Sequence, residues 1–567
     1  MKTINHKIAA ICLSALLASS CSDFLKEDPK GQMTNLESFT EKSDLEGSIN
    51  ALYYQVKMAS GYIGVYAPVL MGDDMTSIVS KTNFTDWDQF ISNDGNPMMT
   101  NSVGSWSCMW NVVKAANYII NGVANTPDVS EDDINFAIAE ARFWRAYFYF
   151  WMVRCWGPLP IIENSEINPN ISASTEEKVY DFLIQDLKFA EENLPEQFTT
   201  EPWSINGLNI IASKGAAQAT LAQVYLTMAG WPLNKGTEYY AMAAGKAKEV
   251  IDAVENGTYY YRLFDEYRKI YSRKYNKNNT EIILGVYFTK DFGGGDGSQA
   301  ARGLAEIPEE TGGFSDMRAE IKFWKDFPAG PRKKAIFGDV YYHNQDQKVV
   351  PWFYDNVTNC NNPYYVMYAF ANDEVEYDQT KSYSAQADGW SEQTAAFIRL
   401  SQVYLWYAEA VGRSGQGDKV KAIELLNTVR RRADGKWDDP SYNFYSSGMS
   451  NDELAEAAYN EHGWEIAGYY RGNVATRYHD LRRMNRLKEH FEYRLQNPEI
   501  EVTEQWLKEN PDKQEMVTGP VYLKERVAMT GTWDDSRMYA PYEKHLCRQA
   551  DTGFLHTESG RDFEQGR

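Results

Sequence analysis

The side chain with the plainest chemistry in this chain is the thiol of Cys21. Lys2 and Lys7 form a basic start, Ile8 to Leu17 an apolar run, and Ala18-Ser19-Ser20 a small-residue stretch directly before it. That order is the order of an export signal ending in a lipid-accepting cysteine. The apolar run is too short to cross a bilayer, which takes about 20 residues. Each methylene buried by an acyl chain contributes about 0.8 kcal/mol, and two or more chains make the anchoring stable. Residues 1–20 are therefore read as a lipoprotein signal peptide with Cys21 as the lipid attachment site; an ordinary secretory signal beside a chance cysteine is the alternative. Ala18 stands where such signals usually carry Leu, and Leu17 lies one step further out.

Other reactive patterns are scarce. After Cys21 the cysteines are Cys108, Cys155, Cys360 and Cys547, far apart and without the C-x-x-C or histidine spacing of a zinc site. A disulfide among them is open outside the cytoplasm, but spacing names no pair; buried free thiols are the favoured reading. Gly293-Gly294-Gly295-Asp296-Gly297 lacks the Lys-Ser/Thr of a phosphate loop and reads as a connection. The chain contains no H-E-x-x-H, no G-x-S-x-G and no G-x-G-x-x-G between a strand and a helix. His462 and His479 fall on helical patterns and read as packing or capping residues. No metal and no cofactor is implied.

The formal charge is -22, and removal of the signal takes away two lysines and no acid. An acidic chain without a long Lys/Arg run lacks the electrostatic footprint for phosphate backbones, so nucleic acid is a poor partner. At 567 residues with 14% aromatics, the chain is a folded protein with a large core or several units.

The elements are mainly helical. Ser174 with Glu177 has the capping-box spacing, Val179, Leu183, Leu187, Ala190 and Leu194 recur at steps of three and four, and Pro195 stops the run. Phe397, Leu400, Tyr404, Tyr407 and Val411 keep the same period. After the Arg413–Gly417 turn, Asp418 caps a second helix bearing Val420, Ile423, Leu426 and Val429, which makes an αα-hairpin. Leu221-Ala222-Gln223-Val224-Tyr225-Leu226 returns as Leu400-Ser401-Gln402-Val403-Tyr404-Leu405 with one difference, and Tyr239 to Val254 reads as the earlier pair's second helix. This looks like tetratricopeptide-type hairpins, which stack to bury a core none could bury alone. The copies are too far apart for one uninterrupted array: repeats span about 105–255 and 394–485, and a loop-rich, irregular insertion of about 256–393 lies between, with a strand at Glu281 to Phe288.

Several stretches together resemble the SusD/RagB family of outer-membrane nutrient-binding lipoproteins. Cys21-Ser22-Asp23-Phe24-Leu25 is similar to its mature start, and Ala141 to Phe150 followed by Gly157-Pro158-Leu159-Pro160 to its R-x-x-R-A-Y-x-Y-F helix ending in G-x-x-P. Lys214 to Leu226, Ile398 to Ala410 and His479-Asp480-Leu481-Arg482-Arg483 are similar to later helices, whereas Glu461 to Ala467, Gly468-Tyr469-Tyr470 and Met538 to Pro541 depart from the pattern. The resemblance implies one SusD-like domain over 21–567, mainly α with a few short strands. It implies a protein lipid-anchored at the outer membrane and exposed at the cell surface, which binds an oligosaccharide or other nutrient and delivers it to a SusC-like TonB-dependent transporter. No catalysis is implied. The family's glycan platform comes from loops, which nominates Trp87, Trp324, Trp352 and Tyr354 as stacking surfaces, with Asp74 beside Asp73 for hydroxyls or a cation. Two readings compete. An exported α/α-barrel glycoside hydrolase would need a flanking pair of carboxylates, and no segment singles one out; a scaffold would grip peptides along its concave face.

Cys21→Ala is expected to move the protein from the membrane to the soluble fraction while its melting temperature stays unchanged. A variant that still sediments with membranes, held by its uncut signal, would refute the lipid anchor.

Overall fold

Residue 130 begins the longest helix of the scaffold, and the chemistry of its start is local. The Ser130 hydroxyl accepts the Asp133 N–H at 3.2 Å, and Glu131, Asp132 and Asp133 crowd the positive end of the helix dipole. The helix runs Glu131–Trp156 and stops at Gly157, whose φ of +81° suits a residue without a Cβ. From Phe143 onward almost every side chain is buried, so this helix is enclosed by neighbours on all sides. The computed structural model describes residues 39–60, 70–79, 82–91, 106–164, 171–287, 306–354, 362–369, 376–386, 394–468, 476–496 and 498–540. The signal segment, Cys21, Cys360 and Cys547 lie outside the described residues; Cys108 and Cys155 are buried.

In chain order the helices are α1 Lys42–Ala59, α2 Thr82–Asp88, α3 Trp106–Gly122, α4 Glu131–Trp156, α5 Glu176–Asn193, α6 Lys214–Ala229 and α7 Thr237–Glu255. There follow α8 Ile321–Asp326, α9 Pro331–Ile336, α10 Leu400–Ser414, α11 Lys419–Ala433, α12 Asn451–Glu465, α13 Thr476–Arg483, α14 Leu487–Gln496 and α15 Thr503–Glu509. Each long helix packs on the next: α1 on α3, α3 on α4, and so on to α7. Then α7 packs directly on α10, which packs on α11 and α12. The two similar segments, in α6 and α10, thus flank α7, where Ala243, Ala244 and Ala247 are buried and let both approach closely. The array is continuous in space, and residues 256–393 leave and return between α7 and α10.

Arg145 staples three of these helices. Its guanidinium donates to both oxygens of Asp186 in α5 at 2.7 and 2.8 Å and to the Asn117 side chain of α3 at 2.7 Å.

Two local expectations shift. The cap of α5 is Thr175, whose hydroxyl accepts the Lys178 N–H at 3.4 Å; Ser174 is held one residue earlier by paired backbone hydrogen bonds with Leu159. Phe397 lies in a strand, not a helix. Ala395–Arg399 is β8, antiparallel to β4 (Ile282–Val286), and all ten positions are buried, so the short apolar run carried no period to tell strand from helix. Asp418 caps α11 as expected, accepting the Lys421 N–H at 3.0 Å, while Val420 is 80% exposed and off the packed face. Outside the array, β5 (Met317–Ala319) pairs antiparallel with β1 (Met75–Ser77), and β6 (Val340–His343) forms a hairpin with β7 (Lys348–Pro351). The two-residue strands β2 (Ser204–Ile205) and β3 (Leu208–Asn209), and β9 (Ile500–Glu501) and β10 (Tyr522–Leu523), complete the ladders. Among the described residues no helix is long and apolar enough to cross a membrane.

The insertion is fastened by charge. Arg399 Nη1 lies 2.9 Å from both Glu281 Oε1 and Glu465 Oε1, and Arg432 pairs with the same two glutamates. Arg332 Nη1 reaches Glu465 Oε2 at 3.0 Å and its Nη2 reaches Glu461 at 2.6 Å. All six side chains are at most 2% exposed. Burial pushes the Glu465 carboxyl up, but Arg432, Arg399 and Arg332 outweigh it and hold it at about 2. Glu465→Ala removes the carboxylate shared by three buried guanidinium groups, leaving their three positive charges to Glu281 and Glu461, and is expected to cost about 3–5 kcal/mol in urea denaturation. A loss below 1 kcal/mol, by the range for exposed pairs, would show that these charges are solvated.

Candidate functional site

The insertion builds a cavity of about 550 Å³, within the usual range for small-molecule sites. One wall is α9. Gly330, at φ +148°, turns the chain into Pro331, which occupies the first turn of the helix, where its missing N–H costs nothing. Lys334 and Ala335 of α9 face the cavity. The opposite wall comes from Arg268, in the 3-10 turn Tyr267–Tyr271, and from Glu376, Tyr377 and Gln379.

Arg268 orders this wall. Its guanidinium donates to the carbonyls of Met367 and Ala369 at 2.8 and 3.3 Å and to the Glu376 carboxylate at 2.9 Å, so one side chain ties the 367–369 backbone to Glu376. Gln379 Oε1 accepts the Asp339 N–H at 3.0 Å and the Tyr364 hydroxyl at 3.3 Å. Its amide nitrogen donates to no described residue. Tyr377 packs edge-on against Tyr383 at 5.1 Å. An amide donor, the Lys334 ammonium, the 60%-exposed Glu376 carboxylate and a tyrosine edge thus converge, the mixture that a ring with several hydroxyls and apolar C–H faces requires. A second cavity, of about 420 Å³, lies between α1, α4 and the chain after α5, lined by Phe136, Phe198 and Trp203. The exposed Lys42–Asp133 ion pair, 2.6 Å long, stands at its edge.

The nominated tryptophans are elsewhere. Trp87, Trp324 and Trp352 are each 1% exposed, so none offers a ring face to a sugar. Trp87 sits in α2. Trp324 and Trp352 meet edge-on at 5.1 Å, Lys333 Nζ lies 4.3 Å above Trp324, and Phe353 bridges Trp352 to Trp506 of α15. These rings form the core that docks the β6–β7 hairpin, because large aromatics beside short elements supply most of the apolar area available. Tyr354 is half-buried at the hairpin's edge, donating to Asp346 Oδ2 at 2.7 Å and accepting from Lys348 Nζ at 2.8 Å. Trp144, Trp151 and Trp406 are core residues. His462, buried beside Trp406, pairs with Asp480 at 2.7 Å and packs as expected.

Asp74 is also buried, and no hydroxyl or cation can reach it as nominated. Its Oδ2 accepts the Gly468 N–H at 2.9 Å and its carbonyl accepts the Tyr365 hydroxyl at 2.6 Å, while neighbouring Asp73 is bidentate to Arg477 at 2.7 and 2.6 Å. Among the described residues no group of three His, Cys, Asp or Glu side chains is arranged to hold a metal ion. The cavity residues were missed because they come from positions 268 to 379, with no local spacing that marks them; Gly330-Pro331 alone signals a helix start.

Comparison with known proteins places this architecture. Residues 23–226 match a family model described as SusD-like, starch-binding and associating with the outer membrane, and residues 317–543 match the SusD family model. The chain belongs to the SusD/RagB family. A SusD-like protein of Bacteroides ovatus is 29% identical over 444 residues, 76% of each chain. A SusD superfamily protein from Parabacteroides distasonis superposes with a TM-score of 0.66 at 19% identity, covering 91% of this chain and 98% of that one. Surface glycan-binding protein A from Bacteroides thetaiotaomicron, solved in complex with laminarihexaose, gives 0.63 at 16% identity over 91% and 98%. The mainly helical fold with a few short strands is the one these solved structures share.

Burial, and then the charge of Asp73, push the Asp74 carboxyl up to about 7. An acid raised on folding stabilises the fold fully below its unfolded pKa near 4, and that contribution is lost as pH rises through 7. Asp74→Asn is therefore expected to gain about 2–4 kcal/mol on wild type between pH 5 and pH 8, measured by urea denaturation. A difference that stays flat across that interval would contradict this placement of the charge.

Proposed function

We propose that the protein is a cell-surface carrier, lipid-anchored at Cys21, that binds an oligosaccharide in the insertion cavity and passes it to a SusC-like TonB-dependent transporter without cleaving it. The observation that carries the reading is the family match over two long stretches, one model being described as starch-binding and outer-membrane-associating. The cavity supplies the matching chemistry. Gln379, Lys334 and Glu376 can take hydroxyls, and Tyr377 and Pro331 offer apolar edges to C–H faces. Tyr354, at the edge of the β6–β7 hairpin and outside the cavity lining, remains a secondary candidate for stacking.

Hydrolysis would need two carboxylates flanking the scissile bond. Glu376 is the single carboxylate among the described residues lining this cavity. Several buried acids, Glu465, Glu281, Glu409 and Asp186 among them, are bound to arginines. That distribution favours binding over catalysis.

Calorimetric titration with laminarihexaose and with hits from an oligosaccharide array tests the reading. Gln379→Glu keeps the oxygen that accepts the Asp339 N–H and removes the amide donor; Lys334→Met removes the ammonium. Each is expected to weaken binding about fivefold or more, as truncation of a central contact does, with the melting temperature unchanged and the bound oligosaccharide uncut by chromatography. Wild-type affinity in both variants would move the site elsewhere, and chain shortening by pure protein would make it a hydrolase.

A further inference from the structure

Two polar groups of the insertion cavity lack a partner among the described residues, the Lys334 ammonium and the Gln379 amide nitrogen, and both are hydrogen-bond donors. The orientation of the Gln379 amide is set by its neighbours. Its Oε1 accepts the Asp339 N–H at 3.0 Å and the Val340 N–H at 3.4 Å, which turns the nitrogen away from that backbone. The carboxylate on the lining is already engaged: Glu376 lies 2.9 Å from Arg268 Nε, so those two opposite charges answer each other.

Lys334 is the odd member of a run of three cations. The helix α9 carries Arg332, Lys333 and Lys334 in succession. Arg332 reaches Glu461 at 2.6 Å and Glu465 at 3.0 Å, and Lys333 Nζ reaches Glu509 at 2.9 Å, each with only 2% of its side chain exposed. Lys334, one step further round the helix, is exposed and lines the cavity. The Asp339 carboxyl is within range of its charge, but it is turned to Asn510 and lies outside the cavity lining. Among the described lining residues the charged ones are therefore Arg268, Lys334 and Glu376, two positive and one negative, in a chain whose formal charge is -22. A positive surplus on the wall of a cleft focuses the field where a ligand sits.

We infer that the cavity selects an anionic saccharide, and that the acidic group of one sugar, a carboxylate or a sulfate, is held between the Lys334 ammonium and the Gln379 amide N–H. This rests on the glycan-binding reading above and adds to it the charge class of the ligand. A hydroxyl brings a donor of its own, for which these two groups offer no acceptor; an ionised carboxylate or sulfate only accepts, and one such group satisfies both. Hydrogen bonds to an ionised acceptor are also roughly twice as strong as neutral ones. Lys334 then sets specificity, while the Arg268–Glu376 pair shapes the wall.

The test is binding of the full mature protein to an array in which neutral, uronate-bearing and sulfated oligosaccharides of equal length are represented. Anionic members are expected to bind about tenfold tighter than neutral ones or better, the size of one charge-assisted hydrogen bond, and the uronate and sulfate arms tell the two acids apart. High salt is expected to weaken anionic binding and to leave neutral binding unchanged. Esterifying the uronates, or removing the sulfates, of the tightest binder is expected to abolish its advantage. Lys334→Gln keeps a hydrogen-bonding end without the charge; it is expected to lower the affinity for anionic chains about tenfold, with neutral binding and the melting temperature nearly unchanged. Lys334→Arg is expected to retain most of the affinity. Neutral chains that bind as tightly as anionic ones, or an equal loss on both in Lys334→Gln, would overturn the anionic class and leave the glycan-binding reading standing. Failure of the wild type to bind any member of the array would overturn both.

Discussion

Three arginines and three glutamates with almost no access to water meet where the insertion rejoins the helical array, and the rest of the molecule is arranged around keeping them paired. Arg332 comes from α9 in the insertion, Arg399 from the β8–α10 junction and Arg432 from α11; Glu281 precedes β4, and Glu461 and Glu465 lie on α12. Taking ions out of water costs several kcal/mol each, so such a network adds little net stability over apolar residues of the same volume. Its effect is on geometry. An insertion docked in another position would leave at least one of these groups charged, buried and alone, which is the costly state.

The same network sets the shape of the binding region. Arg332 is one residue from Pro331, and Glu461 forms an ion pair with Arg332 and accepts a hydrogen bond from the Tyr445 hydroxyl, so the cavity wall and the chain after α11 share one anchor. On the far side of α9, Lys333 lies over Trp324, which packs on Trp352 and so on the β6–β7 hairpin. A helix of six residues has little stability by itself; α9 is held from both sides by residues adjacent in sequence. The tryptophans expected to stack on ligand instead hold the frame on which ligand-facing groups are mounted.

A second charged cluster closes the other end of the insertion. Asp73 grips Arg477, Asp74 receives the Gly468 N–H, and Glu320 faces His490 and Arg494 at 3.2 and 3.1 Å. Burial, and then Arg494, push His490 down to about 4. His490 therefore favours the fold when neutral, a contribution lost as pH falls from about 6.5, whereas Asp74 favours it when protonated. The two pull in opposite directions and partly cancel through mildly acidic pH.

What the amino-acid order determined by itself is local. Helix periods, the Asp418 cap, the strand after Glu281, the paired segments at Leu221 and Leu400 and the family motifs are short-range patterns, and short-range patterns follow from side-chain spacing and backbone hydrogen bonding. Phe397 shows the limit: four apolar residues in a row carry no period, and only pairing with β4 made them a strand. That α7 would meet α10 across an insertion of well over a hundred residues, that Trp87, Trp324, Trp352 and Asp74 would be buried, and that Arg268, Lys334 and Gln379 would share a cavity were decided by tertiary structure alone. Burial of a ring depends on what the rest of the chain lays over it, and convergence of distant side chains on the closure of long loops, neither of which is written in the spacing of neighbours.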